Sequence, residues 1–261
     1  MTDIRYALLD PTGNITVLVE TPVPVPFQPS VAARLMEAEP GAEQVGFLTF
    51  GENMSGIRLR MAGGEFCGNA AMSAAALCAM DWKMSGGTLR VSVSGAADPV
   101  KVAVRALDDG SVRGTVRMPR PVSVGGERFP DGSVRPVVRF DGISHVVAES
   151  GLSREEAESV IAEWCRFLRA DAVGIMLLDR VTGTLSPLVY VPAAGTMCWE
   201  RSCASGTTAV GAYLAAEAGG GPVSLTLREP GGCLTIETDP AGDLLLTGTV
   251  RLLARRSARI E

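Results

Sequence analysis

Gly63-Gly64-Glu65-Phe66-Cys67-Gly68-Asn69-Ala70-Ala71-Met72 sets one cysteine against Gly-Asn, directly ahead of a run that carries no charge as far as Met80. Ala70, Ala71, Ala74, Ala75 and Ala76 favour helix. The run is apolar on every side, so the helix it predicts is buried rather than amphipathic. The first amide N–H groups of a helix have no intrahelical partner, and the dipole is positive at that end. Cys67 therefore stands where a thiolate is stabilised and an anion can bind.

The arrangement occurs twice. Trp199-Glu200-Arg201-Ser202-Cys203-Ala204-Ser205-Gly206-Thr207-Thr208 leads into Ala209 to Ala218, a second run of small and apolar residues. A single such cysteine reads most simply as core, because cysteine is among the most buried residue types. The same unusual context met twice argues against chance.

Composition narrows the rest. A chain of 261 residues, 46% hydrophobic and 20% charged, can build one large domain or two small ones with a substantial core. A net charge of −5 gives no basic footprint beyond the modest Arg251 to Arg259 tail, so nucleic acid is not an expected partner. Met1 to Arg5 do not form a signal peptide, and no apolar run is long enough to span a bilayer. The expected setting is the cytoplasm, with Cys67, Cys78, Cys165, Cys198, Cys203 and Cys233 reduced. No Cys-x-x-Cys pair and only one histidine argue against a metal site. No Gly-x-Gly-x-x-Gly follows a strand and no Walker-type loop is present, so no cofactor is expected.

Strand and helix signals recur in the same order along the chain. Ile4 to Leu9, a turn at Asp10 to Asn14, and Ile15 to Val19 come first. A helix capped by Ser30 and running from Val31 to about Glu37 follows, then strands at Glu43 to Phe50 and Ile57 to Met61 ahead of the Cys67 loop. Thr88 to Val93, Val100 to Val104 and Gly114 to Met118 close the first set. The second set has a turn and strand at Gly142 to Ala148, and a helix through Phe167 opened by the capping box Ser153/Glu156. Strands at Ala172 to Leu178 and Leu188 to Val191 precede the Cys203 loop; Val223 to Leu227, Leu234 to Thr238 and Leu244 to Val250 follow it. The landmark offsets agree within a few residues: 131 from Asn14 to His145, 128 from Gly46 to Gly174, and 136 from Cys67 to Cys203. The reading is an α/β (α+β) fold of two similar halves, 1–125 and 126–261. Each is a curved, mainly antiparallel sheet around a buried central helix, and a pseudo-twofold axis is expected to bring both cysteine loops to one cleft.

Two helix N-termini converging there would hold a small carboxylate on the amides of Gly68, Asn69, Ala204 and Ser205. One thiol would then lie on each face of the adjacent carbon. A thiolate on one face removes the α-proton, and the thiol opposite delivers a proton to the other face. The amides meet the charge that builds up as the proton leaves. A thiol with its pKa brought down from ~8.5 is a suitable acid/base near neutral pH.

Thr12-Gly13-Asn14, Glu65 to Ala70 and Glu200 to Thr207 together resemble, over the whole length, the diaminopimelate epimerase-like superfamily of cofactor-independent amino-acid racemases. The resemblance implies a general acid/base pair at Cys67 and Cys203. It also implies substrate contacts from Asn14, Gly68, Asn69, Ser205 and Gly206, and from Glu200 by position. Diaminopimelate epimerases place Asn-Ala-Asp-Gly ahead of the first cysteine, where this chain has the shorter Met61-Ala62-Gly63-Gly64. They also carry a longer Glu-Arg-Gly loop before the second, whereas Glu200 is three residues from Cys203. Those segments hold the distal end of a dicarboxylic substrate, so lysine biosynthesis is not the expected role. The short Arg-Ser-Cys junction looks more like proline racemases. Pro11 to Asn14, Glu43 to Phe47, Glu65 to Ser73, Pro187 to Pro192 and Pro230 to Gly232 are similar to histidine racemases of opine-type metallophore biosynthesis.

The remaining residues have two readings each. His145, at the place matched to Asn14 by the offset, is a substrate contact or a satisfied structural histidine. Glu43 is a partner for a substrate imidazole or a solvated strand-start residue. Asn14 beside Gly13 is also compatible with a plain left-handed turn. Cys78 and Cys165 read as core. A racemase of another amino acid, diaminopimelate included, and an inert binding protein of the same fold are the alternatives. The expected partner is a small-molecule amino-acid substrate, without nucleic acid or membrane, and a homodimer is left open.

Overall fold

The computed structural model describes residues 2–50 and 56–260. The first set of elements is β1 (Thr2–Pro11), β2 (Thr16–Val19), α1 (Gln28–Ala38), β3 (Gln44–Phe50), β4 (Ile57–Met61), α2 (Gly68–Asp81), β5 (Gly86–Val93), β6 (Val100–Ala106) and β7 (Val112–Arg117). The second is β8 (Ser123–Arg128), β9 (Val134–Phe140), β10 (Ile143–Ala148), α3 (Arg154–Leu168), β11 (Val173–Asp179), β12 (Thr184–Val191), β13 (Thr196–Trp199), α4 (Ala204–Glu217), β14 (Ser224–Glu229) and β15 (Gly232–Thr238). A long last strand, β16 (Leu244–Ile260), ends the chain. Two compact units result: Met1–Arg117 with Thr247–Glu261, and Met118–Leu246. The sequence places one boundary at 125/126. The structure divides the chain at 117/118 and returns the last strand to the first unit, because residues 250–260 pair antiparallel along the whole of β1.

In each unit the strands are mixed, mostly antiparallel, with two parallel pairs. In the first unit these are β2–β3 and β4–β5, bridged by α1 and α2. In the second they are β10–β11 and β12–β14, bridged by α3 and α4. Parallel neighbours need a long crossover, and a helix supplies it. The order strand, helix, two strands, helix, two strands is thus written twice in the chain, with the short β13 added before the last helix of the second copy.

The central helices are buried because they can be. Gly68 to Ala79 of α2 are all buried, and the helix packs against β1, β2, β4, β5, β6 and β7 of its own unit. Alanine presents little volume on any face, so strands can close around the helix from all sides. The outer helices are amphipathic instead. Val31, Ala32 and Leu35 of α1 pack with Tyr6, Val17, Val19, Val45 and Phe47. Ala157, Ile161, Trp164, Cys165 and Leu168 of α3 pack with Phe129, Val146, Val173 and Ile175. Trp164 stacks on Phe129 at 4.3 Å between ring centres. Removing so large a buried ring costs about 3–5 kcal/mol.

The capping box at Ser153/Glu156 forms as the sequence requires. The cap expected at Ser30 does not. α1 starts three residues earlier, at Gln28 with Phe27 as its N-cap residue, and the Ser30 hydroxyl turns back to the Phe27 carbonyl at 2.9 Å. Proline at the second helical position permits the earlier start, since its missing N–H is not needed there. Three strands, β8, β9 and β13, carry no strong sequence signal. Among the described residues no helix is long and apolar enough to cross a membrane.

Candidate active site

Cys67 is the N-cap of α2, in extended conformation, and its sulfur accepts the N–H of Ala70 at 3.4 Å. The helical ladder begins with the Ala71 N–H on the Cys67 carbonyl, so the amides of Gly68 and Asn69 lie ahead of it. The thiol donates to Gln44 Oε1 at 2.9 Å. Gln44 Nε2 in turn donates to Asn14 Oδ1 at 2.5 Å and to Thr16 Oγ1 at 2.8 Å. Asn14 Nδ2 donates to Glu43 Oε2 at 2.6 Å. A chain of side chains thus runs from Cys67 through Gln44 and Asn14 to Glu43. The turn that presents Asn14 needs Gly13, whose φ of 97° lies in the left-handed region, and Thr12 ties it to Thr249 of β16.

Cys203 repeats the local geometry in the second unit. It is the N-cap of α4, and its sulfur accepts the Gly206 N–H at 3.3 Å. The ladder begins with the Thr207 N–H on the Cys203 carbonyl, so Ala204 and Ser205 lie ahead of it. Gly206 has no substitute here: a methyl group would run into Met176 and crowd the Cys203 sulfur.

The surroundings of the two thiols differ. Ser205 Oγ lies 3.6 Å from the Cys203 sulfur and 3.0 Å from His145 Nε2. His145 is wholly buried, and burial pulls its pKa down to about 3, so the imidazole is neutral. Its Nδ1 has no hydrogen-bond partner among the described residues. The Cys203 amide donates to Glu229 Oε2 at 2.7 Å, and the Thr207 hydroxyl donates to the other oxygen of the same carboxyl. Glu229 is buried, which pushes it up to about 8 against the pull of those two donated bonds. Glu200 keeps part of its surface in solvent, yet its carboxyl is enclosed enough that burial raises it to about 7. Burial first, then the charges of Glu200 and Glu229, raises the Cys203 thiol well above its usual range.

The structure therefore joins Cys67 with Asn14 and, through Asn14, with Glu43. It joins Cys203 with Ser205, His145 and Glu200. Gln44, Thr16, Thr207 and Glu229 belong to these groups and are not singled out by sequence. A carboxylate at a strand end, such as Glu229, reads as solvated. The place given to His145 needs correction as well. Gly46 pairs with Leu18 across β2–β3, and Gly174 pairs with His145 across β10–β11. His145 is thus the counterpart of Leu18 and lies inside a strand. The offset from Asn14 misleads because the two turns differ in length: Leu9 faces Thr16 in one hairpin, whereas Phe140 faces Ile143 in the other.

Cys78 and Cys165 are buried, as expected of core residues, and burial pushes the Cys78 thiol up to about 12. None of the six cysteines is in a disulfide. Among the described residues, no group of His, Cys, Asp or Glu side chains is arranged to hold a metal ion.

Each of the two repeated α/β units thus carries a helix-capping cysteine, and comparison with known proteins gives the class of the chain. A family model described as the histidine racemase CntK N-terminal domain matches residues 3–258. The chain belongs to this histidine racemase family. A histidine racemase from Fusobacterium nucleatum subsp. nucleatum is 35% identical over 222 residues, covering 81% of each chain. One from Staphylococcus aureus is 27% identical over 273 residues, covering 99% of this chain and 98% of the relative. Among solved structures, one described as a predicted epimerase from Pseudomonas aeruginosa superposes with a TM-score of 0.74 at 17% identity, covering 99% of this chain and all of the other. The protein is an amino-acid racemase, and so an isomerase.

Proposed function

We propose that this racemase inverts the α-carbon of histidine without a cofactor, by proton transfer between Cys67 and Cys203 acting on opposite faces of the substrate. The observation that carries this reading is the paired local geometry. In each unit a cysteine caps a buried helix whose first turn holds no acidic side chain. In one direction, a thiolate takes the α-proton: an S–H bond forms as the C–H bond breaks. The electron pair moves into the substrate carboxylate, and the opposite thiol gives its proton to the other face. Thiol and thiolate have then exchanged places, and the reverse direction uses them in the opposite order. The amides of Gly68, Asn69, Ala204 and Ser205 hold the carboxylate and meet its developing charge, while the Gly206 N–H stays on the Cys203 sulfur. Glu43, in hydrogen bond with Asn14, accepts from the imidazole N–H. Glu200 offers a second acceptor for a cationic part of the substrate. His145, committed to Ser205, acts through that hydroxyl rather than by direct contact. Both thiols need a reducing compartment, which fits the cytoplasm. The D-amino acid formed suits opine-type metallophore assembly, as the family resemblance implies.

The test is L-histidine in heavy water with wild type, Cys67→Ser and Cys203→Ser. Wild type should reach the racemate with deuterium at the α-carbon, and each variant should lose racemisation while keeping its circular dichroism. Near wild-type racemisation by either single variant would sink the two-base reading. No turnover of histidine by wild type, alongside turnover of another amino acid, would sink the substrate.

A further inference from the structure

We infer that Ser94 is a positioning residue for Cys67: its hydroxyl, together with the Gly95 backbone, fixes the Glu65–Phe66 peptide that leads into the thiol. This rests on the two-thiol reading and adds to it a side chain whose loss disables one thiol and spares the other.

The Ser94 hydroxyl accepts the Met61 N–H at 2.9 Å and donates to the Glu65 carbonyl at 2.9 Å. Its own amide donates to the Leu59 carbonyl at 3.0 Å. One serine thus ties both ends of the segment from Met61 to Glu65, which joins β4 to the Cys67 loop. Gly95 lies directly on the same peptide. A methyl group there would land on the Phe66 nitrogen and stand 2.7 Å from the Glu65 carbonyl carbon. Those neighbours are backbone and cannot swing away. The Gly95 φ of 73° is left-handed as well, so only glycine suits the place.

The second unit holds the equivalent peptide by other means. Arg201, like Glu65, stands two residues ahead of its cysteine, and its carbonyl accepts the Gly231 N–H at 2.7 Å. Ser94 follows β5 and Gly231 follows β14, the strands that pair parallel with β4 and β12. Met61 pairs with Gly46 and Val189 with Gly174, so β4 and β12 are themselves equivalent. The same carbonyl is therefore held from the same turn in both units, by a side chain in one and by main chain in the other. The two cysteines keep matching backbone angles: φ −134° and ψ 116° at Cys67, φ −123° and ψ 103° at Cys203. Each sulfur accepts the N–H three residues on. The hold on this carbonyl recurs although its donor does not, which ties it to the cysteine loop that both units share. Packing against six strands fixes α2 behind Cys67, and the Glu65–Phe66 peptide sets the approach from the front. Proton transfer tolerates little error in that setting, since a misplacement of about 1 Å costs about 10²-fold.

The experiment compares wild type, Ser94→Ala and Ser94→Thr on L- and D-histidine deuterated at the α-carbon. Ser94→Ala should lower kcat by about tenfold or more. KM should stay within about twofold, because the amides that hold the carboxylate are untouched. The primary isotope effect should rise with the enantiomer whose proton Cys67 removes and not with the other. Ser94→Thr keeps the hydroxyl and should return both readings to wild type. Iodoacetamide should modify Cys67 faster in Ser94→Ala and Cys203 at the wild-type rate. A merely structural role would lower activity in both directions with the isotope effects unmoved. Wild-type isotope effects and wild-type Cys67 alkylation in a folded Ser94→Ala would overturn the inference. Should that variant not fold, hydrogen exchange on wild type decides, and a Met61 amide exchanging as fast as a free amide would overturn it equally. Alkylation and amide exchange need no turnover, so these outcomes stay separate from any failure of the racemase reading.

Discussion

Gly174 faces His145 across the parallel pair β10–β11, and a methyl group on Gly174 would land on the imidazole Nδ1. Gly46 faces Leu18 in the same way in the first unit, where an added methyl would lie 3.2 Å from the leucine side chain and 2.7 Å from Leu59. Each glycine makes room for a large neighbour on the adjoining strand, and only in the second unit is that neighbour a titratable ring.

Gly174→Ala should therefore destabilise the protein by about 1–3 kcal/mol, the usual cost of overfilling a packed site. His145→Ala opens the space the methyl needs, so the double variant should lose less than the two single losses added together. Denaturant titration of all four proteins measures the coupling. Strict additivity would show that the contact does not govern the packing there.

Stability should depend on pH in two opposed limbs. Glu229 titrates higher folded, at about 8, than its ordinary 4.5, so the protonated carboxyl favours the folded state and stability falls as pH rises through that window. His145 titrates lower folded, at about 3, than its ordinary 6.5, so its contribution is present above 6.5 and is lost as pH falls. Glu229→Gln should flatten the alkaline limb and His145→Asn the acid limb of a plot of Tm against pH. Glu200 adds to the alkaline limb more weakly, since it retains a solvent-facing edge.

Glu43→Gln should lower kcat/KM for L-histidine by tenfold or more. A hydrogen bond to a charged acceptor contributes about 1.5–3 kcal/mol, and each 1.4 kcal/mol is a factor of about ten. Rates on L-alanine, which has no imidazole, should change little. Equal losses on both substrates would mean that Glu43 serves Asn14 and the Cys67 chain instead of the side chain of the substrate.

Dialysis against a chelator and then hydroxylamine should leave the racemisation rate unchanged, while a thiol-specific reagent should abolish it. Restoration of activity by added metal or pyridoxal phosphate would contradict proton transfer by two cysteines alone.

Both helix-capping cysteines were legible in the sequence, because a charge-free run of small residues after Cys-Gly-Asn or Cys-Ala-Ser leaves little choice but a buried helix with the cysteine at its start. Repeat order was legible for the same local reasons. The polar groups behind the thiols were not. Gln44 and Glu229 acquire their roles from strand register, which brings them to cysteines 23 and 26 residues away in the chain. β8 and β9 were missed because Gly125-Gly126 and Pro136 weaken the strand signal, and β8 straddles the boundary drawn at 125/126.

The return of residues 247–260 to the first unit has a consequence for biosynthesis. When residue 117 leaves the ribosome, β1 still lacks the neighbour it pairs with from Thr2 to Pro11, and that neighbour is made only after the whole of the second unit. The second unit, continuous from Met118 to Leu246, has all its strands first. The half that is translated later is thus able to fold earlier, and the nascent first half waits with an open strand edge. A stop codon near position 246 would spare the second unit's chain entirely while leaving the first without its closing strand, so premature termination there should yield aggregation through that edge.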